Sequence, residues 1–455
     1  MYFRDSLIAA IVAMMGIGAA LAAVSDEEAA RLNTDLTPFG AERAGNQDGS
    51  IPPWTGGFTK PDPNFRPGER NSHRADFFAE EKPLYLVTSQ NSDQYTHILS
   101  AGVKKLLEKY PEFSLHVYPA HRSAAAPEWV YENTFKNATT AQLANSNFGI
   151  EHAIGGIPFP IPKNAYEVML NHIASWRGQS VEYTSQCWLV APNGKLRLSS
   201  SGELKYISPY YFPEAAPDYT GYYRLGAYVQ DAPPSKAGES ILAYNTLNND
   251  KYPRGIWQYL VGQRRVRRAP AISYDTPDTV TSGLSFFDEA FLQFGPWDHH
   301  TYALIGKQEM LIPYNNNKAN AAEAEDIMGK NYLNPDLVRW ELHRVWVIEA
   351  KLIPGKRHVV PKRRYYLDED TWQIILMDGW DAQDNLWRMG YTLTLLAPDV
   401  PMVNGSVFWG LYNLLEGGYF INSASFGRDA VQIWENPAIK FSQFTPEELA
   451  NMGTR

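Results

Sequence analysis

Residues 338–394 read VRWELHRVWVIEAKLIPGKRHVVPKRRYYLDEDTWQIILMDGWDAQDNLWRMGYTLT, and this stretch decides the fold. Trp340, Leu342, Arg344, Trp346, Ile348, Ala350 and Leu352 recur at a spacing of two, with Arg339, Glu341, His343, Glu349 and Lys351 among the residues between them. Successive side chains on a strand point to opposite sides of a sheet, so the alternation predicts a strand with one buried face. Pro354-Gly355 turns the chain, and Arg363-Arg364-Tyr365-Tyr366-Leu367 supplies a second strand. The acidic turn Asp368-Glu369-Asp370-Thr371 leads into a third over 372–377, and the turn 381–385 into a fourth over 386–393. The segment is an antiparallel meander carrying Trp340, Trp346, Trp372 and Trp387.

Upstream of the meander the same period recurs. Strands are predicted over 182–190, 195–199, 203–207, 222–229, 241–247, 256–268 and 302–313, with Pro192-Asn193-Gly194 as a hairpin turn. Helices frame them. Tyr95, Ile98, Leu99, Val103, Leu106, Leu107 and Tyr110 form one stripe of a helix over 93–110 that Pro111 stops. Asn164 and Glu167 make a capping box for a second helix, 285–294 reads as a short one, and Thr445-Pro446 opens a last one. Residues 402–418 read as an apolar, loop-rich segment. The expected architecture is α+β and mainly antiparallel β: one large curved sheet, an incomplete β-barrel wrapped around helices.

The chain start divides into three. Residues 1–23 read as a secretory signal peptide: Arg4, an apolar run, then Ala20-Leu21-Ala22 as a small-x-small cleavage site. Residues 24–67 hold a short helix and a Gly/Pro-rich arm whose Phe39, Ile51 and Trp54 are apolar anchors. Residues 68–455 form the single large domain with helical inserts. The mature protein is expected to be soluble and periplasmic.

A 455-residue chain with 44% hydrophobic residues can bury roughly 75% of its unfolded surface and needs no disulfide or metal staple. The one cysteine, Cys187, allows no internal disulfide and reads as a small buried hydrophobe. A net charge of -9 gives no long-range attraction for nucleic acid or anionic headgroups. Aromatics at 13%, with 27 Tyr and 13 Trp, suit either a wide sheet or a surface that binds apolar matter.

Three stretches carry a resemblance: LTPFGAERAGNQDGSIPPWTGG over 36–57, IWQYLVGQRRVRRAP from Ile256 with the following SYDTPDTVTSGLSFFDEAFLQFG, and ALIGKQEMLIPYN over 303–315 together with KRRYYLDEDTWQIILMDGWDAQDNLWR. Together they resemble a large Gram-negative family of exported proteins of unknown function, almost end to end. That family is more remotely similar to periplasmic lipoprotein carriers of the LolA/LolB type and outer-membrane lipoprotein-sorting proteins. The resemblance implies a LolA/LolB-like incomplete barrel around helices, with an apolar cavity that shelters acyl chains. This chain is about twice the length of a simple carrier, and the family has no settled activity to transfer residue by residue.

Candidate sites follow. Trp340, Trp346, Trp372 and Trp387 are candidates to line a ligand cavity, against the alternative that their rings fill the core. Arg264, Arg265, Arg267 and Arg268 make either a basic rim for an anionic headgroup or acidic partner, or internal partners for Asp275, Asp278, Asp288 and Glu289. Lys362, Arg363 and Arg364 pose the same choice against Asp368, Glu369 and Asp370. Asp298-His299-His300 is the densest metal-type cluster, but adjacent strand histidines face opposite ways, and no metal or cofactor is expected. No H-E-x-x-H, C-x-x-C or G-x-S-x-G motif occurs. The function expected is a non-catalytic carrier or chaperone for a hydrophobic ligand or lipidated protein, passing cargo to an envelope transporter or outer-membrane partner. Its rivals are an envelope hydrolase with an aromatic-lined cleft and an accessory of an outer-membrane complex.

Overall fold

The computed structural model describes residues 24–212, 221–269, 273–426 and 430–453, so the signal-peptide expectation lies outside the described residues. Sixteen strands join in one sheet. In chain order they are β1 (Tyr85–Thr88), β2 (Ser114–Val117), β3 (Ser180–Val190), β4 (Leu196–Ile207), β5 (Tyr222–Ala232), β6 (Ser240–Thr246), β7 (Gly255–Leu260), β8 (Arg265–Arg268), β9 (His300–Pro313), β10 (Arg339–Leu352), β11 (Lys362–Asp368), β12 (Ile374–Trp380), β13 (Leu386–Thr392), β14 (Trp409–Asn413), β15 (Tyr419–Ala424) and β16 (Gln432–Trp434). The spatial order runs β1-β2-β10-β11-β12-β13-β14-β15-β3-β4-β5-β6-β7-β8, with β9 beside β10 and β16 beside β3. Pairing is antiparallel except for a two-residue parallel contact between β2 and β10. The outer strands β8 and β9 do not pair, so the sheet stays open.

Four helices of eight residues or more are described: α1 (Ala101–Lys109), α2 (Glu128–Thr140), α3 (Ala165–Ile173) and α4 (Pro446–Gly453). Ser100 caps α1 by accepting from the Val103 amide, so the expected helix over 93–110 is a 3-10 turn, Ser92–Ile98, followed by α1. Asn164 caps α3 as its spacing predicts. No helix among the described residues is long and apolar enough to cross a membrane.

The meander is buried on both faces, not one. Ile348 and Ala350 of β10 cluster with Tyr365, Leu367, Met377 and the α3 residues Val168, Met169 and Leu170. Val345 and Val347, on the opposite face, cluster with Tyr366, Ile375, Leu376 and the α1 residues Val103, Leu106 and Leu107. The polar residues of that strand are buried too. Glu341, His343, Asp368, Glu369 and Asp370 are all at most 4% exposed and meet Arg122, Arg339 and Arg344 in a charge network. Buried polar groups of this kind require partners, and here they have them.

Four local expectations change. The two strands expected over 195–199 and 203–207 are one continuous strand, β4, with a bulge at Ser201-Gly202. The strand over 256–268 breaks at Val261–Gln263 into the hairpin β7–β8, with Arg264 left-handed at φ 48. The helix over 285–294 is an irregular 3-10 segment, Phe287–Leu292, in which Phe291 is left-handed. The loop-rich 402–418 contains the strand Met402–Asn404 and β14.

Candidate functional site

The second half of the sheet, β3 to β7, has two unlike faces. Leu225, Ala227, Leu242 and Tyr259 meet Ile439, Phe444 and Leu449, so α4 and the segment before it cover one side. The register places Tyr183 opposite Leu204, Leu204 opposite Tyr228, Tyr206 opposite Gly226, Gly226 opposite Ala243, and Arg224 opposite Asn245 on the other side. Cross-strand partners share a face. On that face Gly226 and Ala243 sit at the centre, where larger side chains would otherwise fill the space. A Cβ built on Gly226 would meet nothing closer than 3.8 Å.

The space so left is a cavity of about 250 Å³. Its floor is Tyr183, Leu204, Tyr206, Gly226, Tyr228, Ile241 and Ala243. Its roof is the 276–294 insert, through Phe287, Ala290, Phe291 and Phe294, with Trp409 of β14 closing one side. Phe291 and Trp409 lie 5.7 Å apart and Phe287 and Phe294 5.6 Å apart, an aromatic lid over an aromatic floor. Volumes of roughly 300–1,000 Å³ are usual for small-molecule sites, so this one suits a slender guest.

The insert is pinned to the meander by buried ion pairs. Asp288 accepts from Arg363 at 2.7 and 3.0 Å and lies 3.0 Å from His358, and Glu289 lies 3.2 Å from Arg388. Burial alone would raise the Asp288 carboxyl, but Arg363 and His358 hold it well below the usual carboxylate range. These pairings settle which residues Asp288 and Glu289 serve: neither meets the arginines of 264–268.

Polar residues also line the cavity, Arg224, Gln230 and Trp409 among them. Arg224 Nε, Gln230 Oε1 and Trp409 Nε1 are buried without a hydrogen-bond partner. Arg254 bonds Asn245 Oδ1 through Nε at 3.0 Å, lies over the Phe287 and Phe294 rings, and leaves both Nη atoms buried and unpartnered. It lines a second cavity of about 300 Å³, next to the first across Asn245.

The four tryptophans fall elsewhere. Trp340 is 5% exposed in the α1-side core, beside a void of only about 20 Å³. Trp346 stacks on Trp372 at 5.9 Å, and the fully buried Trp372 donates through Nε1 to Phe39 O at 2.8 Å. Trp387 is half-buried under the Arg388 guanidinium, 3.9 Å from its ring. None of the four lines the 250 Å³ cavity. Trp340 packs in the core with α1, Trp346 and Trp372 in the core with α3, and Trp387 lies against Phe286. The lining tryptophan is Trp409, in the segment expected to be a loop. The signal for it was present: a mid-strand glycine, Gly226, and the Phe-rich insert SFFDEAFLQFG.

Arg264, Arg265, Arg267 and Arg268 are exposed on the edge hairpin, and among the described residues none makes an ion pair. Arg264 lies in the turn, outside the strand β8 that carries the other three. Lys362, Arg363 and Arg364 pair with Asp384, Asp288 and Glu349, not with the 368–370 turn. His300 is buried against Val360 O while His299 stacks on Tyr274, so the 298–300 cluster is split as its strand geometry requires.

His343, Asp368 and Asp370 bring ligand-type atoms within 4.8 Å of one another. Asp370 is already held in a two-point contact by Arg122 at 2.6 and 2.9 Å. Burial would lower the His343 imidazole, yet Asp368 and Glu341 lift it to about 9, which keeps it protonated and unable to ligate at neutral pH. The cluster is an ion network.

Residues 86–450 match the family described as "Protein of unknown function (DUF1329)". An uncharacterized protein of Pseudomonas aeruginosa is 38% identical over 444 residues, covering 96% of this chain and 95% of that one. Among solved structures, a putative outer membrane lipoprotein-sorting protein domain from Vibrio parahaemolyticus superposes with a TM-score of 0.42 at 15% identity, over 62% of this chain and 97% of its own. A LolA superfamily protein from Nitrosomonas europaea gives 0.33 at 10% identity, over 62% and 98%. With TM-scores below 0.5, neither structural likeness bears on what the chain does.

Proposed function

This chain belongs to the family of proteins of unknown function DUF1329, and from its cavity we propose that it is a binding protein that shelters a lipid-like hydrophobic molecule. The observation that carries the reading is the 250 Å³ space between β3–β7 and the aromatic insert. A well-packed interior keeps few voids larger than a water molecule. Here a glycine and an alanine face each other at the centre of two paired strands, beneath four phenylalanine and tryptophan rings. Each methylene of a guest placed there gains ~0.8 kcal/mol of transfer free energy.

In this reading residues 1–23 direct export, the protein works in the periplasm as a carrier or chaperone, and its cargo is a free or protein-linked acyl chain. The exposed arginines of the β7–β8 hairpin are its docking surface for an anionic partner in the envelope, because a guanidinium fork matches carboxylate or phosphate.

Purified protein, stripped of lipid by organic extraction, is titrated with the neutral probe N-phenyl-1-naphthylamine. Saturable uptake at one site is expected, and native mass spectrometry of unstripped protein is expected to show a co-purified small molecule. Protein that carries no adduct and takes up no probe would end the carrier reading.

A further inference from the structure

The cavity has a charged end. Arg224 is 8% exposed, faces the cavity from β5, and among the described residues its side chain makes no ion pair and no hydrogen bond, with Nε buried. Its guanidinium lies 4.5 Å over the Tyr206 ring. Arg254 stands on the far side of Asn245 with both Nη atoms unpartnered. A third arginine, Arg177, lies behind, 5% exposed, bonded to Gln373 Oε1 and His172 O and to no carboxylate. Isolated buried charge is costly to keep, and the usual remedies are a paired acid or a shifted protonation state. Arginine does not deprotonate readily, and among the described residues no acid is paired with Arg224.

Among the described residues, the carboxylates that line the cavity are Glu239 and Asp278. They belong to the other end. Glu239 bonds through its backbone to Gln230, six residues along β5 from Arg224, a span of roughly 20 Å for an extended strand. The 278–280 turn docks there as well, on Ser199. Arg224 therefore has the Tyr206 ring beside it and, among the described residues, no paired counter-ion.

Resting on the carrier reading above, we propose that the guest is a single-chain amphiphile with an anionic headgroup, carboxylate or phosphate, bound by Arg224 with Arg254 behind it, its alkyl chain lying under Phe287, Phe291 and Trp409. The narrow volume admits one chain. The oxyanion supplies the counter-charge that the fold omits, and a charge-assisted hydrogen bond in a dry site is stronger than its neutral counterpart.

The test is calorimetric titration of stripped full-length protein with dodecanoate, dodecyl phosphate, dodecanol and inorganic phosphate. Both anionic amphiphiles are expected to bind at least tenfold tighter than dodecanol. Inorganic phosphate alone is expected to bind weakly, and tight binding of it would make the site one for a free anion and overturn the amphiphile. Arg224→Gln is expected to lower dodecanoate affinity at least tenfold and leave dodecanol unchanged. Should that variant fail to fold, Arg224→Lys and the wild-type ratio of dodecanoate to dodecanol still decide. Equal affinity for dodecanoate and dodecanol, both lost in Gly226→Leu, would overturn the headgroup and leave the carrier reading standing. Binding of none of the amphiphiles would overturn both.

Discussion

His343 lies between two carboxylates, 3.1 Å from Glu341 and 3.5 Å from Asp368, and is 1% exposed. Its folded pKa, about 9, lies above the ~6.5 of an unfolded histidine, so the folded state binds the proton more tightly. The stability this contributes is fully present below pH ~6.5 and is lost as pH rises through about 9. His343→Gln is expected to destabilise by about 3–5 kcal/mol at pH 6, because two buried carboxylates lose their cation, and the difference from wild type should shrink toward pH 10. Thermal unfolding across that range checks it, and a difference independent of pH would place the imidazole outside the network. The tryptophans separate in the same way by what they touch. Trp372→Ala should cost about 3–5 kcal/mol in denaturant unfolding and leave probe affinity unchanged, since its ring is wholly buried against Trp346. Trp409→Ala should weaken probe binding, because its ring borders the cavity.

At the scale of the element, period-two spacing was enough to place most strands, because alternation is a local property. Ser180–Val190, His300–Pro313 and the meander lie within a few residues of where the sequence puts them. What alternation could not reveal was burial of the polar face. Glu341 and His343 read as solvent-facing, yet His121, Asn315, Tyr314 and Asp368 close over them, and that depends on contacts hundreds of residues apart in sequence, such as the His121 amide with Glu341. The cavity was hidden for a related reason. It arises from a glycine and an alanine meeting across β5 and β6, and register is set by pairing. Tryptophan content drew attention to the meander, whereas Trp340, Trp346 and Trp372 pack in the helix-covered cores and Trp387 lies against Phe286. The hairpin β7–β8 is the opposite case, since its arginines are exposed and, among the described residues, make no ion pair. Replacing Arg264, Arg265, Arg267 and Arg268 with Gln should change stability by less than about 1 kcal/mol, as for surface charge without ion pairs. Co-sedimentation with phosphatidylglycerol vesicles at low salt should drop in the same variant, and retention equal to wild type would remove the hairpin as a docking surface.

Across the whole molecule, the open sheet joins two regions held by different means. From β10 to β13 both faces are covered and charged groups are paired across the layers. From β4 to β8 one face carries α4, the other borders the cavity, and β8 leaves its outer backbone groups unpaired at the edge. Local opening is easiest where buried apolar contacts are few and strand edges are free. Amide hydrogen exchange should therefore be faster in β6, β7 and β8 than in β10, β11 and β12, the latter exchanging only through global unfolding. A guest that binds only the folded state at 100 times its Kd adds about 2.7 kcal/mol to the stability of what it contacts. Protection should then rise in β5, β6 and the 276–294 insert on adding a saturating amphiphile, with little change in α1 and β12. Uniform slowing over the chain, or none in the insert, would show that the guest does not bind beneath those phenylalanines.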